Sequence, residues 1–125
     1  MLARYTMYRR RPKEAGPLPD GIRQDSRWRT KHILRPTQDL VETYLDDATE
    51  AGWKAFRSAY LELLESRYQD DPEAFKDLME LATENDVHIG CSCPTKKNPD
   101  VRHCHTVLAL EFMQQKFPEL DVKFP

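Results

Sequence analysis

Apolar and polar residues alternate over residues 2–9, LARYTMYR, and the run is rich in aromatic and β-favouring types, which predicts a first strand. Prolines and glycines make residues 9–21, RRRPKEAGPLPDG, a loop. A second strand is expected over Ile22 to Trp28, although Arg23, Gln24 and Asp25 make its centre polar. The period then changes. Pro36-Thr37 opens a helix that carries Leu40, Val41, Tyr44 and Leu45 on one face. Gly52 separates it from a longer helix, where Trp53, Phe56, Tyr60, Leu63 and Leu64 recur at helical spacing with Lys54, Arg57, Glu62 and Glu65 opposite. Asp71-Pro72 is a cap followed by a first-turn proline, and the helix after it turns Phe75, Leu78, Met79 and Ala82 inward. Residues 86–93, DVHIGCSC, read as a buried strand closed by Pro94. Asp100 or a neighbour caps a fourth helix that runs to Phe117 and stops at Pro118, and residues 120–124 form a short last strand.

Strand, helices, strand, helix, strand is the order of an α/β fold with a small, mainly parallel sheet and about four helices, and 125 residues suit one domain spanning 1–125. The unit from Val87 to Phe124 is a β-α-β crossover. In such sheets ligands bind at the carboxyl ends of strands, where loops lead to helix N-termini. That rule directs attention to one stretch. CSCPTKKNPDVRHCH, Cys91 to His105, lies at such an end and holds all three cysteines and two of the four histidines.

Composition narrows the classes of partner. With 19 basic against 21 acidic residues and a net charge of −2, a protein built to coat nucleic acid or an anionic membrane is not expected. No apolar run approaches the length that spans a bilayer, and the arginine-bearing N-terminus lacks the apolar core of a secretory signal. An odd number of cysteines beside histidines is a poor disulfide framework and suits a reducing cytoplasm.

Side chains alternate along a strand, so Cys91 and Cys93 share a face if the strand reaches that far. His103, Cys104 and His105 then fall near the first turn of a helix, whose free N–H groups stabilise a thiolate or an anion. Three readings follow. The first is a metal site in which zinc or iron takes ligands from Cys91, Cys93, His103, Cys104 and His105. The C-x-C spacing belongs to no familiar zinc finger. The second is a metal-free thiol enzyme, with Cys91 or Cys93 as nucleophile beside His103 or His105. The third is a set of buried cysteines that pack as small apolar groups, a reading that fits Cys104 best because it is in helical register with Leu108 and Phe112. Separately, SRWRTKH at residues 26–32 brings Arg27 and Arg29 within reach of a small anionic ligand or nucleotide, with a solvated basic loop as the alternative. The triplet Arg9-Arg10-Arg11 reads as a solvated turn.

The order of segments resembles a bacterial and archaeal family of unknown function, the YeaO-like proteins (DUF number 488). The resemblance rests on Trp53, Phe56 and Tyr60 in a W-x-x-F-x-x-x-Y helix, on the acidic helix and hydrophobic strand after it, on HCHT at His103 to Thr106, and on Arg27-Trp28-Arg29 after an early strand. It implies a single α/β domain with a cleft lined by the histidine motif and the arginine region, and it implies no particular reaction. The chain departs from the family pattern in two places. Arg29-Thr30 stands where a proline-arginine-glycine usually follows the tryptophan, and Cys91-Ser92-Cys93 is richer in thiol. Both departures favour metal or redox chemistry over an anion-binding role for the arginines.

Overall fold

The computed structural model describes residues 1–125 and contains three strands and four α-helices in the order β1 (Leu2–Thr6), β2 (Ile22–Asp25), α1 (Gln38–Asp46), α2 (Glu50–Asp70), α3 (Pro72–Glu84), β3 (Val87–Cys91) and α4 (His105–Lys116). The sheet is entirely parallel with β3 at its centre, in the order β1-β3-β2. Register pairs Thr6 with Cys91 and Asp25 with Gly90, so all three carboxyl ends meet at one edge. No helix is long and apolar enough to cross a membrane.

One face of the sheet carries the core. Leu2, Val87 and Ile89 point into it and are fully buried against Tyr60, Leu64, Phe75, Leu108 and Met113 of the helices. The other face presents Tyr5 and Met7 of the β1 segment around Gly90. A Cβ at Gly90 would lie 2.7 Å from the Met7 sulfur and 2.8 Å from the Tyr5 ring. Because β1 and β2 are parallel, residues 7–21 must return from the carboxyl edge to the amino edge of the sheet. Arg11 holds that return, donating to the carbonyls of Thr6 and Gly16 at 2.9 and 2.7 Å.

Several boundaries differ from the sequence reading, each for a local reason. β1 stops at Thr6 and β2 at Asp25, rather than at residues 9 and 28, because their shared partner β3 ends at Cys91. One further rung forms on each side, Met7 N–H to the Cys91 carbonyl and Ser26 N–H to the Gly90 carbonyl. The helix break falls at Asp47–Thr49, not at Gly52. Thr49 caps α2 by accepting from the Gly52 N–H, and Gly52 sits inside the first turn because a Cβ there would lie 1.8 Å from the Asp47 carbonyl oxygen. Leu45 is 37 % exposed, turned away from the core face of α1 that holds Tyr44. Asp100 does not cap α4. Its carboxylate takes the N–H of Arg102 in a turn, and the helix starts later, with Cys104 as the extended N-cap residue. The last strand reduces to a single parallel bridge, Val122 to Leu2, held by two backbone hydrogen bonds.

Candidate functional site

The parallel sheet brings three segments to one edge: residues 26–29 after β2, residues 91–93 at the end of β3, and the N-terminus of α4. There the sulfurs of Cys91, Cys93 and Cys104 all lie within 4.8 Å of one another, and all three thiols are free. β3 ends before Cys93, so strand alternation alone does not explain the meeting. The connecting loop carries Cys93 back toward Cys91. Cys104, 2 % exposed, faces the other two sulfurs while its backbone begins α4.

Asn98 organises that loop. Its buried amide nitrogen donates to the His103 carbonyl at 2.6 Å and to the Cys93 sulfur at 3.5 Å, and its oxygen accepts from the Tyr44 hydroxyl at 3.3 Å. Arg4, from the core-facing side of β1, holds the opposite flank. Its guanidinium donates to Thr106 Oγ1 at 2.9 Å, to Thr6 Oγ1 at 3.1 Å and to the Cys93 carbonyl at 2.7 Å. All three acceptors are neutral, and Arg4 forms no salt bridge with a carboxylate. Thr106 then donates its hydroxyl to the Cys104 sulfur at 3.1 Å.

These contacts divide the three sulfurs unequally. The Cys91 and Cys93 thiols donate toward Cys104, which pushes Cys104 well below the ordinary cysteine range despite its burial. The same hydrogen bonding, together with burial, pushes Cys91 up and Cys93 up to about 11. The N-cap position adds to this polarity, since the first N–H groups of α4 form the positive end of the helix.

The histidines take different places. His105 is buried. The Ser26 hydroxyl donates to the Gly90 carbonyl at 3.0 Å, so the 3.0 Å contact between His105 Nε2 and Ser26 Oγ is a donation from the ring. That leaves Nδ1 facing the Cys104 sulfur at 3.9 Å. Tyr60 packs edge-on against the ring with centroids 5.8 Å apart. His103 stacks on Trp53 at 4.8 Å. Neither imidazole nitrogen joins the group of mutually close ligand atoms, which consists of the three sulfurs.

The sulfurs floor a cleft of about 200 Å³, walled by Tyr44, Trp53 and Phe56 and rimmed by Arg27, Asn98 and His103. Arg27 is fixed, with Nε and Nη2 on the Asp25 carboxylate at 3.0 and 2.8 Å and Nη1 donating to Ser92 Oγ at 3.2 Å. Arg29 is exposed and lies over the Trp28 ring at 5.5 Å. The sequence reading gave no role to Arg4, Ser26 or Asn98, and named Thr106 only as the end of the HCHT motif. For Arg4 a signal existed. Leu2, Arg4 and Thr6 share the core-facing side of β1, and a charged residue at such a position calls for buried partners.

Comparison with protein families finds a match to the family described as "Active DUF488-N3 subclade" over residues 3–117. Comparison with curated proteins and with solved structures gives no match.

Proposed function

We propose, for a chain that belongs to the DUF488 family of unknown function, that the site is a metal centre in which the thiolates of Cys91, Cys93 and Cys104 hold one zinc or ferrous ion. The carrying observation is the approach of all three sulfurs to within 4.8 Å. A zinc–sulfur bond of roughly 2.3 Å at tetrahedral angles sets sulfurs roughly 3.8 Å apart, so about an ångström of contraction closes the triad. Thiolate is the ligand type these metals select, and Asn98 and Thr106 supply hydrogen bonds that orient the sulfurs of Cys93 and Cys104.

Three protein ligands would leave a fourth position on such an ion, and all three cysteines line the cleft. An open position distinguishes catalytic zinc sites from closed structural ones, and it would admit a water or a substrate atom. Three cysteines with no disulfide among them suit a reducing compartment such as the cytoplasm.

Elemental analysis of untagged protein, purified without chelator or added metal, tests the reading. About one zinc or iron per chain is expected, and Cys93→Ser should lower bound metal and melting temperature together. Folded wild-type protein with three titratable thiols and no metal would overturn it.

The lowered Cys104 supports a second reading, a metal-free thiol enzyme. It expects one cysteine to be alkylated rapidly by iodoacetamide at neutral pH in metal-free protein, and to be identified as Cys104 by peptide mapping. Uniformly slow labelling eliminates this reading.

A further inference from the structure

A second cleft, of about 420 Å³, opens beside the sulfur site and is lined by Met7, Tyr8, Arg9, Arg27, Arg29 and Ser92. Three guanidinium groups thus converge where β1 and β2 end. Their charges are not equivalent. Arg27 is neutralised by Asp25. Arg9 and Arg29 are exposed, and neither takes part in any ion pair or side-chain hydrogen bond. The neighbouring Arg11 is spent on the carbonyls of its own loop. The cleft therefore carries two uncommitted positive charges. It also offers the Ser92 hydroxyl, which accepts from Arg27 and has no acceptor of its own.

The two clefts are continuous in their lining, sharing Arg27, Arg29 and Ser92. One side is cationic and polar. The other is walled by Tyr44, Trp53 and Phe56, with Arg29 lying on Trp28 at the boundary between them. Guanidinium groups match phosphate oxygens in geometry and charge, and aromatic walls match a flat apolar body. Three guanidinium groups share one carboxylate, Asp25, so positive charge is in excess and a doubly charged anion fits this arrangement better than a singly charged one.

We propose that the protein binds a phosphate monoester of a planar aromatic alcohol. Its phosphate lies between Arg9 and Arg29 with Ser92 donating, and its ring enters the aromatic cleft above Cys91, Cys93 and Cys104. Arg27, held by Asp25, is a fixed wall between the two halves of the ligand. The inference rests on the clefts and is independent of whether the sulfurs hold a metal.

Phenyl phosphate is the probe. Its binding to chelator-treated full-length protein is measured by calorimetry at low ionic strength, beside inorganic phosphate and phenol. Phenyl phosphate should bind at least about tenfold more tightly than either fragment, and Arg9→Ala and Arg29→Ala should each weaken it by about tenfold. Both side chains are exposed, so the variants should fold as the parent does. Arg10→Ala, which lines neither cleft, should leave the affinity unchanged. Equal affinity for phenyl phosphate and inorganic phosphate would remove the aromatic half of the proposal. Unchanged affinity in Arg29→Ala, or no binding of phenyl phosphate at all, would overturn it.

Discussion

His32 makes the wall of the site sensitive to mild acid. It lies between β2 and α1, in the segment that supplies Trp28, Arg29 and Pro36 to the cleft. Its Nδ1 accepts from the Leu34 N–H at 3.1 Å, so the ring proton resides on Nε2 and donates to Gln24 Oε1 at 2.7 Å. Burial, reinforced by the nearby His105, pushes His32 down to about 4 from an ordinary 6.5. Protonation would also cost Leu34 its acceptor. The sign follows from linkage: below pH 6.5 the unfolded chain binds a proton that the folded chain refuses, so stability falls as the pH drops toward 4. For pKa values of about 6.5 and 4 the loss is roughly 1.3 kcal/mol between pH 7.5 and 5.5, and roughly 2.5 kcal/mol by pH 4.5. The lowered carboxylates Asp25 and Asp100 contribute only below this window, because their stabilisation persists until pH falls through the ordinary aspartate range. His88 is also lowered by burial, but it is common to both proteins compared and cancels. The assay is urea unfolding of metal-free wild type and His32→Gln at pH 7.5 and 5.5 and at fixed ionic strength. The wild type should lose about 1.3 kcal/mol more than the variant over that interval, equivalent to roughly 4–6 °C in melting temperature. Parallel pH profiles for the two proteins would refute the assignment of a neutral, buried His32.

Two further substitutions probe the packing that holds the site. Tyr60 is fully buried and donates its hydroxyl to the Leu34 carbonyl at 2.7 Å, so Tyr60→Phe should cost about 1–3 kcal/mol in urea unfolding by leaving that carbonyl without its donor; a change below about 0.5 kcal/mol would contradict the contact. Gly52→Ala places a methyl group against the backbone oxygen of Asp47, which has no rotamer by which to move away, so about 3 kcal/mol of stability should be lost by thermal melting. Full stability in that variant would mean that the α1–α2 turn differs from the one described.

Residues 38 to 84 were largely legible because their determinants are local. Thr37 caps α1, Asp71 caps α3 with Pro72 in its first turn, and the buried side chains of α2 recur at helical spacing, all within a few residues of one another. The cysteine-histidine stretch also stood out by composition alone, and its place at the end of a parallel strand followed from the order of elements. Strand lengths did not follow, because a strand extends only as far as its partner. β1 and β2 end where β3 ends, and the last strand pairs only through the single bridge of Val122 with Leu2. The membership of the site was least accessible to sequence. Cys104 has the spacing of a core residue on α4, yet as the N-cap residue it faces two sulfurs that lie more than ten positions earlier in the chain. His103 and His105, adjacent to it in sequence, are turned by packing toward Trp53 and Ser26. Arg4 reaches the site from the other end of the chain, across the 102 residues that separate it from Thr106. Residue types and local spacing determine which groups are available and which elements carry them. The direction in which each group points depends on how those elements pack, and contacts of such long range come into being only when the chain has closed around its core.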